Sequence, residues 1–398
     1  MNLLFGLLIL VAPLYVWRFE LAGLPTNFLM VYSFFVLVVG VIYIFWNRKL
    51  GDYIQTLKSL PKLVLWVVSL FFMASVISLF VNGVDFPKIA QWFVLYLLPI
   101  GLAKLLYYFV KSGEVSRETI LRYGYVFLFA VGLYAVSQYF FLIGLPTDYW
   151  GNASEPKRAI GFFIHPNGFA LFITPLLAYL LPHVKTRLEN FKNEFYSWNT
   201  LAIVAWVFGL IGLLLSLSRG GWLGLIVAGG IFVLVSSSKK MIVSYAVLGV
   251  ILLGIIFAVP NFRYRVLLPF MGEKSTVARF SLWETGGKMI TDSPILGQGI
   301  HGFNYNWDKF NTDPNLEHYN FPHNFVLNAW IDLGLLGLLS WLAIIGLGIF
   351  YGFENRAKPY ALGLALFLIA LLVHGLIDIP YFKNDLAMIF WLMIALSL

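Results

Sequence analysis

The chain has 398 residues, 60% of them apolar and only 12% charged, with a mean hydropathy of +0.83. No single soluble core hides that much apolar surface, so the solvent is lipid, and continuous rather than alternating apolar runs exclude a transmembrane β-barrel. The net charge of +8 lies mostly in short loops, where the positive-inside rule rather than nucleic-acid binding accounts for it, and the absence of Cys removes disulfides, zinc–thiolate sites and thiol nucleophiles.

In chain order, the first apolar run, 3–17, has neither a basic leader nor a small-residue cleavage site and reads as a retained helix rather than a signal peptide. Runs at 28–46, 63–81, 89–110 and 123–144 follow, then 168–181, 201–217, 222–235 and 241–259. After a polar interval, 333–351, 360–373 and 386–398 complete twelve spans, so the expected fold is an all-α polytopic membrane protein. The chain reads as one membrane domain, 1–398, with 260–322 as a large, partly helical outer loop between the ninth and tenth helices. Within that loop Thr276 is expected to cap a helix carrying Phe280, Trp283 and Ile290 on one face, and Pro294 to end it. Gly297, Gly299 and Gly302 then mark turns.

Basic residues collect on one side of the membrane: Arg48, Lys49, Lys58, Lys62, Lys111, Arg117, Arg122, Lys185, Arg187, Lys192, Lys239, Lys240, Arg356 and Lys358. That side is expected to be cytoplasmic, with both termini on it and 260–322 facing outward. Five of the six His, at 165, 301, 318, 323 and 374, then fall on the outer side. The spans hold almost no ionisable group near mid-depth, whereas a transporter or flippase needs polar groups there.

His323-Asn324 precedes Gly334 and Gly337 by a spacing that, on one continuous helix, puts His323 and Gly334 within about 20° of one face, with the glycines admitting a neighbouring helix. Spacing alone leaves His323 either an interfacial side chain or a reactive one. Ser218-Arg219-Gly220-Gly221 joins two spans with almost no loop. Arg219 there either anchors a helix end or, with glycine N–H groups exposed beside it, binds phosphate. Arg279 has either a ligand anion or Glu273 or Glu284 as partner. His374 and Asp378, spaced i, i+4, suit an orienting pair or ordinary helix-end polarity. Asn152-Ala153-Ser154 matches a glycosylation sequon. Clustered carboxylates and the common metal motifs are missing, so no metal or cofactor is expected.

The His323-Asn324…Gly334…Gly337 pattern resembles that of bacterial O-antigen ligases, whose superfamily includes O-antigen polymerases and O-linking protein oligosaccharyltransferases. Ser218 to Gly221, Pro166-Asn167, and Arg279 with Trp283, Pro294 and Gly297-Gln298-Gly299 also resemble it in order and placement, over about 158–378. The resemblance implies a GT-C-like glycosyltransferase of the bacterial inner membrane. It would move a glycan from undecaprenyl diphosphate to a lipid A-core hydroxyl on the periplasmic face during lipopolysaccharide biosynthesis. In those terms His323 is the general base, Arg219 and Arg279 bind the diphosphate, and Arg158, His165, His301 and His318 contact glycan or diphosphate. Asn324, Gly334, Gly337, Gly220 and Gly221 form the structural part of the motifs. A polymerase extending carrier-linked repeat units is the main alternative. A protein glycosyltransferase is disfavoured because the chain ends within its last span at Leu398.

Overall fold

The computed structural model describes residues 1–21, 24–150, 157–189, 197–236, 239–271, 273–314 and 316–398; the sequon at Asn152 and the basic residue Lys192 lie outside them. All twelve apolar runs form helices. Helix α1 (Asn2–Val11) runs into a 3-10 turn, and a short antiparallel hairpin of β1 (Arg18–Leu21) and β2 (Leu24–Asn27) follows, which the sequence did not announce. Asn27 then caps α2 (Phe28–Trp46), its side-chain oxygen accepting from the Met30 N–H at 3.0 Å. After the short amphipathic α3 (Leu50–Lys58) come α4 (Lys62–Phe80) and α5 (Phe86–Trp92), which passes through a π turn into α6 (Leu98–Lys111). Then follow α7 (Arg117–Phe141), α8 (Pro166–Glu189), α9 (Trp198–Leu215), α10 (Arg219–Ser236) and α11 (Lys239–Ala258).

The polar interval contains α12 (Pro260–Leu267), α13 (Lys274–Asp292), α14 (Gly302–Tyr305) and α15 (Trp307–Phe310) before α16 (Phe325–Glu354), α17 (Pro359–Gly375) and α18 (Asn384–Ser397). Among the described residues eight helices are long and apolar enough to cross a membrane, and α1, part of α11, α17 and α18 are shorter apolar helices. The chain is an all-α, multi-pass membrane protein.

Two compact units divide it. The first comprises Met1–Gly124, Arg279–Glu354 and Gly375–Leu398; the second comprises Tyr125–Ala278 and Asn355–His374. In the first unit α16 packs on α4 and α18 on α6. A buried aromatic knot of Phe71, Tyr96, Trp341, Tyr381 and Trp391 lies between them. Tyr381 donates to the Leu95 carbonyl at 2.9 Å, inside the π turn, and accepts from the Trp391 indole at 2.9 Å. This places both polar tips of buried aromatic side chains on partners and ties down the segment after α17. In the second unit α8 packs on α9 and α10. Glycines let α7 approach α9 and α17 approach α8: a Cβ at Gly132 would lie 2.5 Å from the Phe208 carbonyl carbon, and one at Gly363 2.5 Å from the Tyr179 carbonyl oxygen.

Three local expectations are corrected. Helix α13 begins at Lys274, and the Thr276 and Val277 N–H groups bond to the Glu273 carbonyl, so Glu273 rather than Thr276 occupies the cap position. Leu282 and Met289 form its buried face, with Trp283 and Ile290 beside them, while Phe280 is 61% exposed. His323 and Gly334 do not share a continuous helix, because α16 starts at Phe325 and Gly334 breaks it with φ 69° and ψ −175°.

Candidate functional site: a His–Asp pair and an arginine pair

His323 sits immediately before α16 with a left-handed φ of 48°, a conformation costing about 1–2 kcal/mol in a residue with a Cβ. Its neighbours hold it there. The Asn324 side-chain oxygen accepts from the Val326 and Leu327 N–H groups at 2.9 and 3.1 Å, capping α16, and its amide donates to the Leu376 carbonyl at 3.0 Å. Phe325 packs on Trp341 of the aromatic knot.

The His323 Nδ1 lies 3.2 Å from Asp378 Oδ1, with side-chain exposures of 29% for the imidazole and 3% for the carboxylate. An acceptor-only carboxylate opposite Nδ1 places the imidazole proton there and leaves the Nε2 lone pair for a second partner. The same Asp378 oxygen accepts from the Ile379 N–H at 2.9 Å. Arg279 Nε donates to the Ile377 carbonyl at 3.2 Å, so Asn324, Arg279 and His323 all grip the short run 376–378. The i, i+4 pairing of His374 with Asp378 does not form on one helix, since α17 ends at Gly375. Asp378, beyond the end of that helix, meets His323 from 55 residues away in sequence.

Further along α16, the break at Gly334 admits the loop after α13. Gln298 N donates to the Ile331 carbonyl at 2.6 Å and Leu335 N to the Ile295 carbonyl at 3.0 Å, so the loop after α13 is stitched into the interrupted helix. Ser78 Oγ of α4 donates to the Asp332 carbonyl, and the buried Asp332 side chain accepts from the Gly302 N–H and the Asn328 amide, each at 3.1 Å. Gly334 therefore meets a loop rather than a helix, and a Cβ at Gly337 would lie 2.2 Å from Leu333 Cβ. The two glycines serve the kink, not a smooth packing face.

In the second unit Arg219 is the first residue of α10. Its guanidinium pairs with Glu273 Oε2 and donates to the Arg265 carbonyl at 3.2 Å. Arg265 reaches Glu273 Oε1 at 3.1 Å and donates through Nε to the carbonyl of Leu217, itself left-handed at φ 52°, at 3.3 Å. Burial alone would raise the Glu273 carboxyl, but hydrogen bonding and charge from Arg219, with Ser275 and Arg265, hold it below the usual carboxylate range. Glu273 is thus not the partner expected for Arg279, and Glu284 pairs with Lys288 at 2.8 Å. Nor do Gly220 and Gly221 present open N–H groups: both are buried, and a Cβ at Gly221 would lie 2.8 Å from Leu213 and Thr174 side-chain atoms.

Arg158 is 7% exposed and joins two of the sequence motifs, donating to the Ser216 carbonyl and to Asn167 Oδ1, each at 2.9 Å, with its guanidinium over the Trp150 ring. Gln138 clamps the segment alongside by accepting from the Ile160 and Gly161 N–H groups at 3.0 and 2.8 Å. Arg158→Ala strands the Ser216 carbonyl and is expected to cost about 2–4 kcal/mol, seen as a lower Tm in thermal unfolding; an unchanged Tm would contradict this bracing role.

Of the other candidates, His165 is exposed beside Trp150, and His318 is exposed, stacked on Trp307 and 2.8 Å from Asn304 Oδ1. His301 has a left-handed φ of 54° at the start of α14, and burial pushes its pKa down to about 4, so it is neutral near pH 7. Sequence reasoning missed Arg265, which carries no motif, and the Asp378–His323 pairing.

Residues 204–342 match the O-antigen ligase family. An "Uncharacterized protein" of Haemophilus influenzae is 25% identical over 189 residues, 42% of this chain and 47% of that protein. A "Putative polysaccharide ligase" of Rickettsia felis is 26% identical over 161 residues, 36% of this chain and 38% of that protein. The chain thus spans less than half the length of these curated relatives. The matched segment carries Arg219, Arg265, Arg279, His323 and both glycines of the kink, and over that segment the chain is similar to the O-antigen ligase family.

Proposed function

We propose that the chain is a glycosyltransferase that moves a glycan from undecaprenyl diphosphate to a lipid A-core hydroxyl. The membrane is the bacterial inner membrane, the termini are cytoplasmic, and residues 260–322 and the reaction lie on the periplasmic side, the orientation favoured by the basic loops. The architecture is GT-C-like.

The observation that carries this reading is the His323–Asp378 pair. Its Nε2 takes the acceptor hydroxyl proton as the oxygen bonds to the anomeric carbon. The bond from that carbon to the phosphate oxygen breaks, and undecaprenyl diphosphate leaves with the electron pair. Asp378 stabilises the imidazolium that forms. Arg279 and Arg219 stabilise charge on the departing diphosphate. His318 and His165, exposed beside aromatic rings, are assigned to glycan contact, and His301 to neutral hydrogen bonding. Arg158, which donates to the Ser216 carbonyl in the turn before Arg219, is likewise assigned to glycan or diphosphate contact.

The deciding experiment offers purified protein a carrier-linked glycan with either lipid A-core or a second carrier-linked unit. Transfer to lipid A-core is the expected result. Elongation on the carrier instead would make the chain a polymerase, and no transfer to either would remove the reading.

A further inference from the structure

Arg219 and Arg265 approach one carboxylate from two sides, each taking a different oxygen of Glu273. Two guanidiniums face one carboxylate in a site where Arg219, Glu273 and Arg265 side chains are only 21%, 10% and 10% exposed. Each guanidinium has a backbone partner besides Glu273. Arg219 is also held by the Arg265 carbonyl, and Arg265 by the Leu217 carbonyl, so each keeps a backbone anchor when the carboxylate is gone. Leu217 adopts its left-handed turn directly before Ser218-Arg219, which aims its carbonyl at Arg265.

A pre-positioned guanidinium pair that binds one O–C–O group through separate oxygens is suited to bind an O–P–O group in the same way. Glu273 itself stands at the head of α13, outside the apolar helices.

We propose that Arg219 and Arg265 form a phosphoryl-binding site, that Glu273 fills it in cis as an internal stand-in for a phosphate, and that a phosphate or diphosphate ester displaces Glu273 on binding. Arg265 thereby becomes a ligand-binding residue and Glu273 a negative determinant of affinity. This rests on the reading of the chain as a diphosphate-using transferase only for the natural identity of the ligand.

The test uses the full chain in nanodiscs and inorganic pyrophosphate as the probe, with binding read by calorimetry. Glu273→Gln is expected to bind pyrophosphate at least 10-fold tighter than the unaltered chain, and Arg265→Gln at least 10-fold more weakly. Adding Arg265→Gln to Glu273→Gln should remove the gain. A Glu273→Gln variant that folds but binds no tighter would overturn the proposal and make Glu273 a plain structural counter-ion. Should that variant fail to fold, Arg265→Gln decides alone: unchanged pyrophosphate affinity overturns the site.

Two further arms separate the sources of the phosphoryl group. Competition of pyrophosphate by polyprenyl diphosphate, but not by phosphatidylglycerol in the nanodisc, identifies the carrier, and the reverse identifies a membrane headgroup. Glycan transfer measured on the same preparations keeps the two readings apart. Transfer that persists while pyrophosphate binding ignores Arg265 sinks this site alone, and absent transfer with Arg265-dependent binding sinks only the transferase reading.

Discussion

His323→Ala is expected to lower glycan transfer by about 10²–10⁴-fold, the range that a positioned general base contributes. Tautomer and reach set this expectation. Asp378 Oδ1 at 3.2 Å accepts a hydrogen bond from Nδ1–H, so the imidazole presents a basic Nε2, and the 29% exposure of the side chain leaves it open to an acceptor. His323→Gly separates chemistry from folding: glycine accepts the left-handed φ of 48° without strain, so it is expected to be at least as stable as His323→Ala and equally inactive. Asp378→Asn tests the positioning role. Its amide can face Nδ1 with N–H groups and draw the proton to Nε2, so transfer is expected to drop by about 10–10³-fold with an altered pH–rate profile. Full turnover in His323→Ala would end the base assignment. A smaller active fraction in Asp378→Asn, with an unchanged pH profile, would reduce Asp378 to a structural role.

Gly334→Ala is expected to cost about 3 kcal/mol or more, enough to prevent accumulation of folded protein or to depress its Tm strongly. Two penalties add at this residue. A φ of 69° with ψ of −175° is a region essentially reserved for glycine, and the new Cβ would lie 2.3 Å from the Ile295 carbonyl oxygen. Relieving the contact breaks the Leu335 to Ile295 and Gln298 to Ile331 hydrogen bonds that hold the loop in the helix. Gly346→Ala, in the same helix with open space around its Cβ, is the matched control and is expected to be neutral or slightly stabilising. Equal thermal stability of the two variants would show that the kink is not required.

The two substitutions act on one construction. The kink at Gly334 takes up the loop from Ile295 to Gln298, and the buried Asp332 beside it holds the Gly302 N–H next to His301. At the other end of the same half-helix, Asn324 both caps the helix and grips the run that carries Asp378. The half-helix that follows His323 is thus held at both of its ends.

The amino-acid sequence by itself determined the class of fold. Every one of the twelve apolar runs is a helix, because a segment in lipid must satisfy its backbone hydrogen bonds internally, and that requirement is local. It also marked the residues to watch, since charged and imidazole side chains are costly in an apolar chain. Only the tertiary structure decided how those residues are partnered. Asp378 lies 55 residues from His323, and Glu273 lies 54 from Arg219, separations that carry no periodic signal. The meaning of the glycines was likewise tertiary. Spacing alone put Gly334 on the face of a continuous helix, whereas its backbone conformation and the carbonyl packed against it make it a break in that helix.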